Sequence, residues 1–289
     1  MEQPSIGVRD VVMDALATTP CRQMLTSLQK NKLGARLLNR ISYPRSVFKS
    51  FDEAWRAAKR VSYAGHDHPD YLQFQAGLAG VLRPSDYAVL FWLARTGMSP
   101  LRVLDYAGSV GNVYYGYARH LRQFAGRLEW VVFDLPPVVE EGRRIAAERG
   151  EQELQFASSL AEVKGDFLLH ISSAFHYWEK SVAEFAAHLP CQPMHIIVNR
   201  VPVNKNEDTF VTVQYKKTYA VPCMVRNRDE FVSDFEAEGY TLVDSWTAPE
   251  LRLRMPLFPR HDVPAYSGFY FCRQGGLSNI WNLDAVHRA

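Results

Sequence analysis

Residues 103–117 read VLDYAGSVGNVYYGY, and the order of residue types in this stretch decides the fold. Leu101–Tyr106 is a short apolar run carrying an acid, Asp105, near its end. Ala107, Gly108, Ser109 and Gly111 follow as a small-residue turn, and a helical pattern then runs to about Gln123. Strand, tight turn and helix in that order make one βα unit. Small residues let the backbone approach a ligand closely, and the helix N-terminus presents unpaired N–H donors there. The spacing D-x-A-G-S-x-G departs from G-x-G-x-x-G, and no basic residue follows the glycines, so the turn is a poor phosphate cradle. A tight strand–helix connection that holds no ligand would read the same way.

Outward from this unit the scheme repeats. LEWVVFD, residues 128–134, is a second apolar strand ending in Asp134, and Pro136–Pro137 open a helix that runs to Arg149. Glu153–Ala157, Asp166–Ile171 and Met194–Asn199 are three more strands, with a helix between Trp178 and Leu189. Strands alternating with helices across short connections predict an α/β fold with a doubly wound, mostly parallel sheet. Tyr240–Thr247 and Ser267–Cys272 have no convincing helix between them, so they are expected to pair as an antiparallel edge hairpin. Residues 200–225 fit the alternation poorly, and Phe210–Tyr215 reads as an extra strand.

The first hundred residues read as mostly helical, with apolar positions at helical spacing in 9–30 and a helix over Phe51–Val61 capped by Ser50 or Asp52. His66–Asp70 form a turn-like break, and Tyr71–Arg95 is an apolar helical run interrupted at Pro84. The expected organisation is a helical cap or lid over 1–84, a ligand-binding domain over 85–273 with a substrate-side insertion at 200–225, and a tail over 274–289.

The 289 residues carry a net charge of +2, with 47% hydrophobic and 22% charged side chains. That apolar fraction argues against disorder, and the charge gives no support to a nucleic-acid binder. No run approaches the roughly 18 apolar residues of a membrane span. Glu2, Arg9, Asp10 and Asp14 leave no apolar core for a secretory signal, so none is expected. Cys21, Cys191, Cys223 and Cys272 lie far apart without CxxC spacing, which fits reduced thiols in a cytoplasmic protein. Between Asp14 and Asp52 there is no acid, while Arg22, Lys30, Lys32, Arg36, Arg40, Arg45 and Lys49 all lie inside. Given the small net charge, a solvated helical arm accounts for this better than an anionic partner surface.

Three features carry chemistry. An acid near the first strand's end suits a cofactor with cationic groups, and S-adenosylmethionine has an ammonium and a sulfonium. Asp134, at the end of the next strand, has the type and position to accept both ribose hydroxyls of an adenosine; facing the dipole of the helix at Pro136 would also explain it. ISSAFHYW, residues 171–178, follows the fourth strand at the carboxyl edge of the sheet. There His176 is a candidate general base, and Tyr177 and Trp178 are candidates to line a cation or an acceptor. A packed structural histidine would look the same. His66 and His68, beside Asp67 and Asp70, suit an acceptor contact from a turn better than a metal, so no metal is expected. Neither G-x-S-x-G nor H-E-x-x-H occurs.

RVLDYAGSVGNVYYGY, EWVVFDLPPVVEEGRR, FLLHISSAFHYWE, VNRVPV, VTVQY and YSGFYFCR occur in an order and spacing that resemble one protein family. It is a bacterial branch of the class I S-adenosylmethionine-dependent methyltransferases, found in surface-polysaccharide and specialised-metabolite gene clusters. FKSFDEAWRAA and GHDHPDYL resemble its helical N-terminal portion, so the likeness spans roughly residues 45–273. It implies a Rossmann-like methyltransferase domain with S-adenosyl-L-methionine as cofactor. Asp105, Ala107, Gly108, Ser109 and Gly111 would form the loop under the methionine part. Asp134 would hold the ribose, Leu135 would pack on the adenine, and Ser158 or Ser159 would sit near the adenine edge. Ser172 and Ser173 would flank the methionine.

Two positions depart from the family. Ala107 stands where glycine is usual; its methyl group is tolerated if φ there is negative, or else weakens cofactor binding. His176 stands where glutamine is common. The expected reaction is methyl transfer to an oxygen or nitrogen of a small polar acceptor, such as a sugar. Polar candidates for the acceptor side are His66, His68, His176, Tyr177, Asn204, Gln214, Tyr215 and His261. A homodimer is compatible with this reading. A methyltransferase-like module that binds without catalysis is the alternative, and a nicotinamide-dependent oxidoreductase is disfavoured by the missing G-x-G-x-x-G.

Overall fold

The computed structural model describes residues 20, 21, 23, 24, 27, 46–60, 63, 64, 77, 80–215, 219–255 and 257–276. Two compact units share the chain: one takes residues 1–70, 202–229 and 250–266, the other 71–201, 230–249 and 267–289.

The second unit is built on seven strands: β1 (Leu101–Tyr106), β2 (Leu128–Phe133), β3 (Leu154–Ala157), β4 (Leu168–Ser172), β5 (His195–Val201), β6 (Tyr240–Ala248) and β7 (Tyr266–Arg273). Their order across the sheet is β3-β2-β1-β4-β5-β7-β6. β1 to β5 are parallel to their neighbours, with Asp105 opposite both Val132 and His170, while β7 runs antiparallel to β5. This is the doubly wound, mostly parallel α/β sheet with an antiparallel C-terminal edge expected from the sequence. The strand order reverses between β1 and β4, so their carboxyl ends flank the point where such sheets bind ligands.

Side chains alternate across β1, and helices cover both faces. On one face, Val103 shares a core with Tyr114, Tyr115 and Tyr117 of α2 (Asn112–Leu121), with Trp130, and with Val89, Trp92 and Leu93 of α1 (Asp86–Leu93). On the other, Tyr106 meets Phe185 of α4 (Val182–His188), their ring centroids 5.1 Å apart. α3 (Pro136–Arg149) starts on two prolines, which suit a first turn, and stops at Gly150 with φ 69°. The phenylalanines Phe231 and Phe235 of α5 (Arg228–Ala237) pack on Phe269 and Phe271 of β7.

In the first unit, Tyr219–Asn227 pairs antiparallel with Phe210–Tyr215 and parallel with Tyr63–Ala64 and Val203–Asn204. The sequence reading finds Phe210–Tyr215 but neither Tyr219–Asn227 nor α5. Pro222 interrupts the former's pattern, since proline cannot donate in a ladder. It faces Val213 of Phe210–Tyr215, while the two parallel neighbours pair only at residues 219–220 and 226–227 and make no demand on it. The helix Phe51–Lys59 is capped by Ser50, which accepts from the Glu53 N–H at 3.3 Å, and it buries Phe51, Ala54 and Ala58 against Val211, Val213 and Ala220.

Most of the segment 9–30, the His66–Asp70 turn and residues 277–289 lie outside the described residues. Among the described residues, no helix is long and apolar enough to cross a membrane.

Candidate functional site at the carboxyl ends of the sheet

The turn after β1 is held from below and from the side. Asp105 is fully buried; its Oδ1 lies 2.8 Å from Nδ1 of His170, and its Oδ2 accepts from Trp130 Nε1 at 3.3 Å. A Cβ on Gly108 would stand 2.5 Å from Asp105 Oδ2, so the acid leaves room only for glycine. The Ala107 N–H donates to the Phe133 carbonyl at 2.7 Å. The Ser109 N–H donates to Asp134 Oδ2 at 2.8 Å, and the Leu135 N–H to Asp134 Oδ1 at 2.7 Å. A carboxylate offers about four lone-pair positions, so Asp134 retains two. Burial raises its pKa, the two N–H donors oppose that rise, and Asp105 adds to it. Burial, with Asp134 nearby, pushes the Tyr106 phenol up to about 12, which keeps it a donor at neutral pH.

Among the described residues, four non-glycine residues have positive φ: Ala107 (55°), Ser109 (59°), Ser173 (58°) and Arg200 (58°). All stand at the carboxyl ends of β1, β4 and β5. Such backbone costs roughly 1–2 kcal/mol per residue and tends to collect at ligand sites. The condition for an unstrained Ala107 is therefore unmet. Gly111 takes φ 86° at the N-cap of α2, where glycine pays no such cost.

Beside this turn, the ends of β4 and β5 carry a polar network of which the sequence names only Ser172 and Ser173. Asp86, buried at the start of α1, accepts on Oδ1 from Arg200 NH1 and Tyr117 OH, both at 2.8 Å, and from Asn199 Nδ2 at 3.3 Å. Its Oδ2 accepts from the Arg83 N–H at 2.8 Å. Arg200 also reaches Ser172 Oγ with Nε at 3.1 Å and NH2 at 2.7 Å. Ser173 donates its N–H to the Asn199 carbonyl at 2.9 Å, and Trp246 Nε1 donates to Asn199 Oδ1 at 3.0 Å. Two polar residues closing the apolar strand HIIVNRV were the only local signal for this cluster.

The other sequence candidates have surroundings of their own. His176 is buried in a short 3-10 turn, its ring 4.1 Å from that of Tyr177. Trp178 donates to the Ser181 carbonyl and stacks on His188. Ser158 and Ser159, exposed past β3, bond Glu162 and cap a 3-10 turn. Gln214, Tyr215, Asn204 and His261 belong to the first unit. There Gln214 Nε2 donates to Tyr266 OH at 3.3 Å, and Tyr215 packs against the core under the helix Phe51–Lys59. Asn204 ties the Arg260 and Asp262 carbonyls to its own turn, and His261 sits edge-on to Phe210. His66 and His68 lie outside the described residues. Among the described residues, no group of three His, Cys, Asp or Glu side chains could hold a metal ion.

No family model and no curated protein matches the chain. Solved structures do resemble it. One is an S-adenosylmethionine-dependent methyltransferase from Clostridium acetobutylicum, 11% identical over 65% of this chain and 90% of that one, with a TM-score of 0.41. Mitomycin 7-O-methyltransferase is 15% identical over 93% and 73%, with a TM-score of 0.41. Magnesium protoporphyrin IX methyltransferase from Synechocystis, with S-adenosylhomocysteine bound, is 13% identical over 88% and 99%, with a TM-score of 0.42.

The side chains gathered here define a chemistry. The carboxylate of Asp134 has spare acceptor capacity, and Leu135 beside it is 49% exposed, an apolar surface at the sheet edge. Among the described residues, Ser109 Oγ is buried without a hydrogen-bond partner. A ligand with a diol, a flat apolar ring and a polar tail matches these three features in kind.

Proposed function

We propose that this chain is an S-adenosylmethionine-dependent methyltransferase acting on an oxygen or nitrogen of a small polar acceptor, a sugar or a specialised metabolite. The observation that carries the reading is the link from Ser109 N–H to Asp134 Oδ2. It fixes a left-handed turn beside a carboxylate that keeps two lone pairs for a ribose diol. Leu135 supplies the apolar surface for the adenine, with Ser158 and Ser159 beyond it, and the orphaned Ser109 hydroxyl fits a polar cofactor group. The bound cofactor supplies a methyl group on a positively charged sulfur. The chain's residues then act by positioning: Asp134 orients the ribose, the 107–111 turn seats the methionine, and Ser172 and Ser173 flank it. In-line displacement draws most of its acceleration from such orientation. His176 takes the acceptor's proton in this reading, a contribution of about 10²–10⁴-fold. Tyr177, its ring neighbour, is the acceptor-side aromatic.

Calorimetry with S-adenosylmethionine tests the proposal. Micromolar binding that Asp134→Ala abolishes is the expected result; no binding at millimolar cofactor overturns it. A binding module without catalysis would show the same affinity and transfer no methyl group to any acceptor.

A further inference from the structure

We infer that Arg200 turns the Ser172 hydroxyl into a hydrogen-bond donor, and that Ser172 thereby recognises the carboxylate of the amino-acid end of the cofactor. The inference rests on the methyltransferase reading and adds the group that selects one end of the ligand.

A serine hydroxyl has one proton to donate and two lone pairs to accept with. At Ser172, Arg200 reaches Oγ with two N–H groups, Nε at 3.1 Å and NH2 at 2.7 Å. Both N–H groups converge on Oγ from one edge of the guanidinium, and its positive charge turns the hydroxyl proton away, toward the opposite side. With a cation already bound at Oγ, a second cation such as an ammonium group is disfavoured there. Ser172 can donate, and a carboxylate is the strongest acceptor the cofactor offers.

The guanidinium is itself fixed. Its NH1 is bound to Asp86 Oδ1 at 2.8 Å, and the two side chains are 5% and 2% exposed. Asp86 is in turn held by Tyr117, Asn199 and the Arg83 N–H. The left-handed backbone of Arg200 and Ser173 is the local strain that brings these groups together. Ser172 is half-buried at the end of β4, not sealed in the core. Asp105, the acid expected to face the ammonium, lies fully buried under the neighbouring turn, and ligand selection at the β4 end falls to a neutral donor.

The test compares S-adenosylmethionine with its decarboxylated analogue, which keeps the ammonium, sulfonium and adenosine. Affinities are measured by calorimetry for the full chain and for Ser172→Ala, Arg200→Lys and Arg200→Met. Ser172→Ala is expected to weaken S-adenosylmethionine about tenfold or more and leave the analogue unchanged. Arg200→Met should lose the same discrimination, and Arg200→Lys should restore part of it. Equal weakening of both ligands by Ser172→Ala, or of neither, overturns the inference while the methyltransferase reading stands. Failure of the unmodified chain to bind either ligand overturns that reading instead. Should Arg200→Met not fold, Ser172→Ala decides, because it leaves the Asp86–Arg200 pair intact.

Discussion

The backbone N–H of Ser109 donates to the side chain of Asp134 across 2.8 Å, which ties the turn after β1 to the end of β2. One carboxylate thus shapes the loop and retains acceptor positions for a ligand. Removing it should damage both functions. Asp134→Asn keeps an oxygen for one N–H and loses the charge, so it should weaken S-adenosylmethionine roughly tenfold to a hundredfold, the value of charged hydrogen bonds of about 1.5–3 kcal/mol. Calorimetry at neutral pH measures this. An unchanged affinity would remove Asp134 from the site.

Ala107 holds φ at 55°, a conformation that glycine adopts freely. Ala107→Gly relieves that strain but adds unfolded-state entropy, so the net stabilisation should be at most about 1 kcal/mol. A melting temperature raised by about 1–3 °C is expected in differential scanning calorimetry. A decrease would show that the methyl group packs usefully.

Gly108→Ala should act in the opposite sense. The added Cβ would meet Asp105 Oδ2 at 2.5 Å, and that carboxylate is pinned by His170 and Trp130. Overpacking of this kind costs about 1–3 kcal/mol, readable as a lower urea midpoint with an unchanged m-value.

Asp86→Ala strands the buried Arg200 without its carboxylate. A loss of roughly 3–5 kcal/mol of folding stability is expected from urea titration, the penalty for an uncompensated buried charge. A loss below 1 kcal/mol would mean that water replaces Asp86 without cost.

His195 sits inside the sheet, its Nδ1 2.8 Å from Tyr270 OH, and desolvation lowers its pKa from 6.5 to about 4. Between those values the unfolded chain binds more protons than the folded one. Its contribution is therefore complete above about pH 6.5 and is lost as pH falls toward 4, in total on the order of 3 kcal/mol. His195→Gln keeps an acceptor for Tyr270 and does not titrate. Its stability profile over that range should be flatter than the parent's in chemical denaturation at stepped pH.

Much of this architecture can be read locally. The period of apolar residues, the prolines opening α3 and the small-residue turn after Asp105 are properties of neighbouring residues, and they determined strands β1 to β5, their alternation with helices and the roles of Gly108 and Asp134 as candidates. Tyr219–Asn227 escaped this reading because Pro222 breaks a strand pattern unless the parallel neighbours pair away from it, which only the assembled sheet reveals. The Asp105–His170 pair joins residues 65 apart, and the Asp86–Arg200 pair residues 114 apart. No local propensity encodes which distant side chains will meet. The strand order and the left-handed bends at Ser173 and Arg200 brought those side chains together, and low-dielectric burial then made their pairing obligatory.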